Sequence, residues 1–356
     1  MRDYYLSVIN GTRSTWDAAI FAAILRAVSW IYAASVMVMR WGYQSGLLRS
    51  YDLGRPVISV GNLSWGGTGK TPVVTWIVKH CLDRGVNPVI LTRGYMPQRP
   101  ADAPVESDEA DLLRDIFHGA VPVIAQKDRV QAALRVPADY VHHLFILDDG
   151  FQHWRVRRDL NIVVIDAMNP FGNRALIPRG ILREPLRALR HADMIVLTRT
   201  DFGREQLSGI RRILERWACG VPVIQTIHAP SGCYDLRTGE PVDLSSLMTQ
   251  DAWLISGIGN PQGFEQTVRE LGVAVAGHWV FADHHVYQYS DFDKIHRELS
   301  ARHSPCLITT AKDAMKLEPL LDRIDPRISL VVLEVEIKVT DGEEELNRAV
   351  DTIVIH

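Results

Sequence analysis

Between positions 64 and 71 the chain reads Ser64-Trp65-Gly66-Gly67-Thr68-Gly69-Lys70-Thr71. Those residue types in that order suit the phosphates of ATP. Gly66, Gly67 and Gly69 let the backbone curl so that successive N–H groups point at β- and γ-phosphate oxygens, and a following helix adds the positive end of its dipole. Lys70 supplies a mobile cation, and the Thr71 hydroxyl a magnesium ligand. The strict pattern G-x-x-x-x-G-K-S/T has glycine where this chain has Ser64, so a variant loop is expected.

A phosphate loop of this kind needs a carboxylate from a neighbouring strand to complete the magnesium shell, directly or through water. Leu144-Phe-Ile-Leu-Asp148-Asp149-Gly150 offers two, because a buried strand that ends in acids delivers them to the carboxyl edge of a sheet, where ligands bind. Acidic pairs are also ordinary strand exits. Which of Asp148 and Asp149 stands nearer the metal is left open.

The elements that must position these residues are legible around them. A strand over residues 56–60 precedes the loop and a helix beginning near Pro72 follows it; proline is favoured in a first helical turn, where its missing N–H would be unpaired anyway. Short β-branched runs at 57–60, 89–92, 121–125, 144–147, 162–165, 194–197 and 221–226 alternate with helix-length segments. That pattern predicts a doubly wound, mostly parallel α/β sheet. A second, smaller α/β set follows, with strands at 253–255, 273–275, 306–309 and 329–339, beyond a cluster of Pro, Gly and Ser at 230–247. The expected divisions are an N-terminal membrane-associated region (1–45), a phosphate-loop domain (46–235) and a C-terminal α/β domain (236–356).

From Ala18 to Met39 the chain is apolar apart from Arg26, Ser29 and Ser35, about the length that crosses a bilayer. Arg26 spoils a clean span, although Arg26 and Ser29 share a narrow polar stripe on a helix lying in the interface. Arg40, Arg49 and Arg55 follow, as befits cationic residues near anionic headgroups. A long buried helix of a soluble protein satisfies the same length criterion. The formal charge of -3 over 356 residues argues against a nucleic-acid partner, since such affinity rests on many cationic contacts. The four cysteines are scattered with no C-x-x-C pair, which suggests neither zinc nor a disulfide framework.

Further motifs accompany these: Val60-Gly-Asn-Leu-Ser-Trp-Gly-Gly-Thr-Gly-Lys-Thr-Pro72, Thr92-Arg-Gly-Tyr95, Ser107-Asp-Glu109, Leu147-Asp-Asp-Gly-Phe-Gln-His153, Arg158-Asp159, Phe171-Gly-Asn173, Leu182-Arg-Glu-Pro185, Ser256-Gly-Ile-Gly-Asn-Pro261, Asp283-His-His285 and Thr310-Ala-Lys-Asp313. In this order they resemble the tetraacyldisaccharide 4'-kinase family, from the N-terminal helix to about Leu317. The resemblance implies a kinase at the cytoplasmic face of a bacterial inner membrane. It would move the γ-phosphate of ATP, with magnesium, to the 4'-hydroxyl of an acylated glucosamine disaccharide 1-phosphate. No obligate protein partner is evident.

The resemblance also implies roles. Asp108 is expected as proton acceptor for the sugar hydroxyl, with His284 as its partner, and Glu184 as a further magnesium-directed acid. Without the family, Asp108 is one acid in an acidic stretch from Glu106 to Asp111, and Asp283-His-His285 could cap a strand. Ser107 and Ala110 flank Asp108-Glu109 where the family usually reads Gly-Asp-Glu-Pro, which alters the loop's backbone but keeps the acid. Residues 155–190 carry eight arginines against three acids; one or two are expected to meet a phosphate, since guanidinium matches its oxygens in a two-pronged way. Gly257-Ile-Gly259 lacks the third glycine of a dinucleotide fingerprint and reads as a tight turn. Lys312-Asp313 is either a strand exit or a helper in base or phosphate recognition. A membrane-docked P-loop ATPase, acting as a switch or partner-binding module, is the alternative reading, but Asp108, Glu184 and His284 are surplus to it.

Overall fold

The structure, a computed structural model, describes residues 2–9, 11–94, 108–137, 139–248, 251–299 and 306–354. Tyr95, Glu106 and Ser107 lie outside them. The chain forms two compact units, one of Met1–Ala110, Phe117–Ile227 and Val339–His356, the other of Asp111–Ile116 and His228–Lys338.

In the first unit, strands β1 (Val57–Gly61), β2 (Pro88–Thr92), β3 (Val123–Ala125), β4 (Leu144–Asp148), β5 (Leu160–Asp166), β6 (Met194–Thr198) and the start of β7 (Val223–Asp235) lie in the order β3-β2-β4-β1-β5-β6-β7. The neighbours run parallel. β1, β2, β4, β5 and β6 are buried throughout, as expected of parallel strands covered on both faces. That is why their sequences are continuous β-branched runs rather than alternations.

Helices α1 (Arg2–Ile9), α2 (Trp16–Gln44), α3 (Lys70–Asp83), α5 (Arg129–Ala133) and α6 (Leu207–Trp217) accompany these strands, while α4 (Asp108–Ile116) begins in this unit and its residues Asp111–Ile116 belong to the second. α3 buries Val73, Val74, Ile77, Val78 and Cys81, the three-and-four spacing of one helical face. The second unit holds α7 (Leu244–Leu247), β8 (Asp251–Ser256), α8 (Pro261–Glu270), β9 (Ala274–Val280), α9 (Tyr289–Leu299), β10 (Cys306–Thr310), α10 (Ala311–Leu317) and most of β11 (Ser329–Asp341). Its strand order is β11-β10-β8-β9, with parallel neighbours.

The units differ from the expected divisions in three places. β7 runs on through Pro230, Ser231 and Gly232 to Asp235, so the start of the Pro, Gly and Ser cluster at the expected boundary is extended strand. The chain returns along β11, and its last helix, α11 (Glu343–Val354), belongs to the first unit. There Asp351 is 2.9 Å from His80 Nε2 and 2.6 Å from Arg84 Nε, both on or just beyond α3. The N-terminal region is likewise part of the first unit.

Among the described residues α2 is the one helix long and apolar enough to cross a membrane. It is nevertheless fastened along one face. Ala18, Leu25 and Ser29 are buried; Ser29 Oγ donates to the Leu176 carbonyl at 2.8 Å, Tyr32 OH to the Arg183 carbonyl at 2.9 Å, and Arg40 pairs with Glu184 at 2.8 Å. The remaining face exposes Trp16, Ile20, Ile24, Trp30, Ile31, Val38 and Trp41.

Candidate active site

Parallel register sets the frame. Val60 of β1 stands beside Asp148 of β4, so the phosphate loop and the acidic pair leave the sheet side by side. Gly61 has no room for a side chain, since a Cβ there would collide with the Phe151 backbone.

The loop that follows is braced from two directions. On one side Ser64 forms an antiparallel bridge with Leu182, Trp65 N–H donates to the Ile181 carbonyl at 2.7 Å, and Arg183 N–H donates to the Leu63 carbonyl at 2.7 Å. This accounts for Ser64: it is buried, extended and outside the positive-φ region, so glycine is not required there. Gly66 (φ 117°) and Gly69 (φ 81°) are the loop positions that do adopt it. On the other side Thr198 Oγ1 donates to the Thr68 carbonyl at 2.8 Å, and Arg199 donates to the Gly67 carbonyl. Arg199 is itself held by Asp166 at the end of β5, at 2.8 and 3.1 Å. Asn62 Nδ2 donates to Thr68 Oγ1 at 2.9 Å.

Lys70 opens α3, two residues earlier than the proline suggested, and Thr71 follows it. Lys70 Nζ lies 3.5 Å from Asp149 Oδ1. Arg183 grips the same carboxylate with both terminal nitrogens, at 2.7 and 2.9 Å, and also donates to Asn62 Oδ1. Burial alone would raise the Asp149 carboxyl, but Lys70 and Arg183 outweigh it and hold the group far below the usual carboxylate range. Asp149 sits at φ 54°, a strained position for a non-glycine residue.

Asp148 behaves oppositely. Burial first, then the nearby Glu109 charge, pushes its carboxyl up to about 6. Thr92 Oγ1 donates to Oδ2 at 3.1 Å, while Oδ1 is buried with no hydrogen-bond partner among the described residues. Arg129, itself buried, donates to the Asp148 carbonyl at 3.1 Å. A buried carboxylate oxygen left unpaired fits an ion carried in with a nucleotide. Thr71 is the residue that the loop offers as its companion.

Glu184 lies in a different setting. It is fully buried against Arg40 of α2, and burial raises its carboxyl to about 7 against the pull of Arg40, Arg158 and Arg183. Among the described residues no group of three His, Cys, Asp or Glu side chains is assembled to hold a metal.

Asp108, partly buried, is the first residue of α4, and it belongs to the first unit. His284 belongs to the second, at φ 61°, with its Nε2 3.8 Å from Asp283 Oδ2; Lys312 Nζ lies 3.1 Å from Asp283 Oδ1. The Gly257-Ile-Gly259 turn is tied down there by the buried Asp313, which accepts from Gly257 N–H at 3.0 Å and Thr310 Oγ1 at 2.9 Å.

Comparison with known proteins adds to this geometry. The family model described as tetraacyldisaccharide-1-P 4'-kinase matches residues 21–355. The chain belongs to that family. A tetraacyldisaccharide 4'-kinase of Syntrophus aciditrophicus is 35% identical over 85% of this chain and 86% of its own length; one of Halothermothrix orenii is 33% identical over 95% and 94%. An LpxK from Aquifex aeolicus, crystallised in an "apo" form in complex with ATP, matches at TM-score 0.71 and 27% identity over 94% of this chain and 99% of its own. The relatives are kinases of this family, so the switch-type ATPase gains no support from them.

Asn62, Asp166, Thr198, Arg199, Arg129 and Arg183 are the site's supports that motif reading left without roles. Their one sequence signal is position: Asp166 and Thr198-Arg199 close buried runs, as Asp148-Asp149 do.

Proposed function

We propose that this chain transfers the γ-phosphoryl group of ATP to the 4'-hydroxyl of an acylated glucosamine disaccharide 1-phosphate, at the cytoplasmic face of a bacterial inner membrane. The observation that carries the reading is the Lys70–Asp149–Arg183 cluster beside a braced glycine loop, in a chain of this kinase family.

Phosphoryl transfer asks a protein mainly to position groups and offset charge, because the transition state is loose. Residues 64–71 hold the β- and γ-phosphates through backbone N–H groups, and Lys70 follows the charge that gathers on the bridging oxygen. Thr71 and Asp148 would hold magnesium, which neutralises phosphate charge when bound. Few protein ligands suffice, as that ion keeps waters and phosphate oxygens around it. Arg183 fixes Asp149 and thereby the register of Lys70.

On the acceptor side, Asp108 takes the proton of the 4'-hydroxyl as its oxygen attacks the γ-phosphorus. The bond to the β,γ-bridging oxygen breaks and ADP leaves with the electron pair. His284 relays the proton onward, a task suited to an imidazole near neutral pH. Glu184, through its pair with Arg40, fastens α2. The exposed apolar face of α2 supplies membrane attachment, as an interfacial helix rather than a span.

Incubation of the protein with ATP, magnesium and the 1-phosphorylated disaccharide lipid in detergent, followed by mass analysis, should show one added phosphate, and Lys70→Ala should abolish it. A lipid that returns unchanged with the wild-type chain would remove the reading.

A further inference from the structure

The end of β6 turns two consecutive donors onto the phosphate loop. Thr198 Oγ1 donates to the Thr68 carbonyl at 2.8 Å, and Arg199 Nη2 donates to the Gly67 carbonyl. A peptide unit is planar and trans, so its C=O and N–H point in opposite directions. Pinning these two carbonyls toward β6 therefore sets the N–H groups of Thr68 and Gly69 on the other side of the loop. There Thr68 N–H closes a three-residue turn on the Gly66 carbonyl at 3.0 Å. That curl, with N–H groups on the concave side and carbonyls on the convex side, is the arrangement that receives an anion.

Arg199 is placed with little freedom. Its Nε and Nη2 meet Asp166 Oδ1 and Oδ2 at 3.1 and 2.8 Å, and both side chains are buried. Asp166 stands beside Thr198 in the parallel register of β5 and β6, and its Oδ1 also accepts from Met168 N–H at 3.1 Å. The fork fixes the plane of the guanidinium, and the carboxylate offsets its charge. Arg199 thus meets the loop as an oriented donor, whereas Lys70 is the loop's own cation. The backbone is locked as well. Arg199 sits at φ 53°, a left-handed conformation that a non-glycine residue keeps only where its surroundings hold it. Gly203 N–H donates to the Arg199 carbonyl at 3.0 Å. Thr200 donates through both N–H and Oγ1 to the Thr226 carbonyl of β7, at 3.2 and 3.1 Å.

We infer that Arg199, held by Asp166, is a positioning residue for phosphoryl transfer: together with Thr198 it keeps the phosphate loop in its anion-binding shape before nucleotide arrives, and so sets the affinity for ATP. The inference rests on the kinase reading and deepens it. Gly66, Gly67 and Gly69 give the loop the curl it needs, and the same residues leave an unsupported loop free to adopt many other shapes. Nucleotide would then have to order the loop at the expense of affinity, whereas a loop ordered by the fold spares that loss. The role is indirect, since Arg199 acts through the Gly67 carbonyl.

The test is equilibrium titration of the full chain in detergent with ATP and magnesium, without acceptor lipid, which reports both the dissociation constant and the fraction of molecules that bind. Arg199→Ala should raise the dissociation constant for ATP about ten- to a hundredfold, the scale of one lost charge-assisted hydrogen bond. Arg199→Lys, which keeps a donor without the fork, should recover part of that loss. Thr198→Val removes the donor to Thr68 and leaves the Arg199–Asp166 pair intact; it should raise the constant about two- to tenfold. In transfer assays the loss should appear in KM for ATP, with a much smaller change in kcat and in KM for the acceptor. A role in folding alone would lower the fraction that binds and leave the remainder at the wild-type dissociation constant. That result in Arg199→Ala and Thr198→Val overturns the inference, and so does a loss confined to kcat. Where Arg199→Ala yields no folded protein, Thr198→Val carries the same decision by itself. Because the titration needs no acceptor, weakened ATP binding in the variants upholds the inference even where no lipid is phosphorylated. Transfer with unchanged ATP affinity in the variants overturns it and leaves the kinase reading in place.

Discussion

Arg183 holds Asp149 by two parallel hydrogen bonds, Nη1 to Oδ2 at 2.9 Å and Nη2 to Oδ1 at 2.7 Å, while Lys70 Nζ stands 3.5 Å from that same Oδ1. The carboxylate is therefore the hinge between the loop's lysine and the segment that also braces Leu63 and Trp65. Arg183→Ala would leave a largely buried carboxylate with only Lys70 and Arg129 as cationic neighbours, and no hydrogen-bonded fork. Transfer should fall by about two to three orders of magnitude in kcat/KM for ATP, the scale of losing one oriented charge-stabilising donor. Arg183→Lys, which keeps the charge without the fork, should recover only part of it. Full activity in Arg183→Ala would show that Lys70 needs no such alignment.

Ser64 makes the opposite kind of prediction. Its backbone is extended and bridged to Leu182, so restoring the glycine of the strict motif gains nothing for phosphate binding. Ser64→Gly should leave the KM for ATP unchanged and lower the unfolding free energy by roughly 0.5–1 kcal/mol, through the greater freedom of glycine in the unfolded chain. A tighter KM for ATP would mean that the serine constrains the loop after all.

These two residues mark the limits of what the sequence made legible. Each of the eleven described strands overlaps a run read from the sequence; β1, β2, β4, β5 and β6 were plainest, because parallel strands buried throughout are apolar runs bounded by Gly, Pro and Asp. The loop was readable because its chemistry is local. The Arg183–Asp149 clamp joins residues 34 positions apart, and no spacing rule reaches that far. The Glu184–Arg40 pair was hidden for a related reason: Arg40 comes from a helix whose composition spoke only of membranes. The path of β7 through Pro230-Ser231-Gly232 was also hidden, since Pro and Gly mark turns locally yet are tolerated where a strand's neighbours supply the order.

Asp108→Ala should lower kcat by about two to four orders of magnitude while leaving the KM for ATP near its original value, the signature of a lost proton acceptor. A change confined to the KM for ATP would assign Asp108 to nucleotide binding instead.

The Glu184–Arg40 pair predicts a pH dependence of stability. Burial raises the Glu184 carboxyl from 4.5 to about 7, so the folded chain binds this proton more tightly than the unfolded chain. Its stabilising contribution is complete below pH ~4.5 and is lost as pH rises to ~7, a difference of about 3 kcal/mol. Denaturant melts of wild type and Glu184→Gln across pH 4 to 8 should therefore diverge, with the wild type losing ground to the variant on the alkaline side. Parallel curves would show that Glu184 ionises normally in the fold.

Membrane attachment requires a gentler test than removing the N-terminal helix. α2 contributes Ser29, Tyr32 and Arg40 to the first unit, so deletion would unroof Glu184, and a lost activity would say nothing about lipid. Its outward residues are separable from those contacts: Ile20, Ile24, Ile31 and Val38 are all about half exposed or more. Exchanging the four for Ser or Gln removes apolar surface worth roughly 1.5–3 kcal/mol per fully buried side chain in a lipid interface, while every inward contact of the helix stays. The variant should move from the membrane to the soluble fraction, yet retain transfer to acceptor lipid presented in detergent. Because one face of the helix is already occupied by protein, the same substitutions would have a weaker effect on a span held in place on all sides by lipid and loops. Unchanged membrane recovery would shift the anchoring to the basic groups that follow, Arg40, Arg49 and Arg55, and would then have to show the steep salt dependence of charge-driven binding.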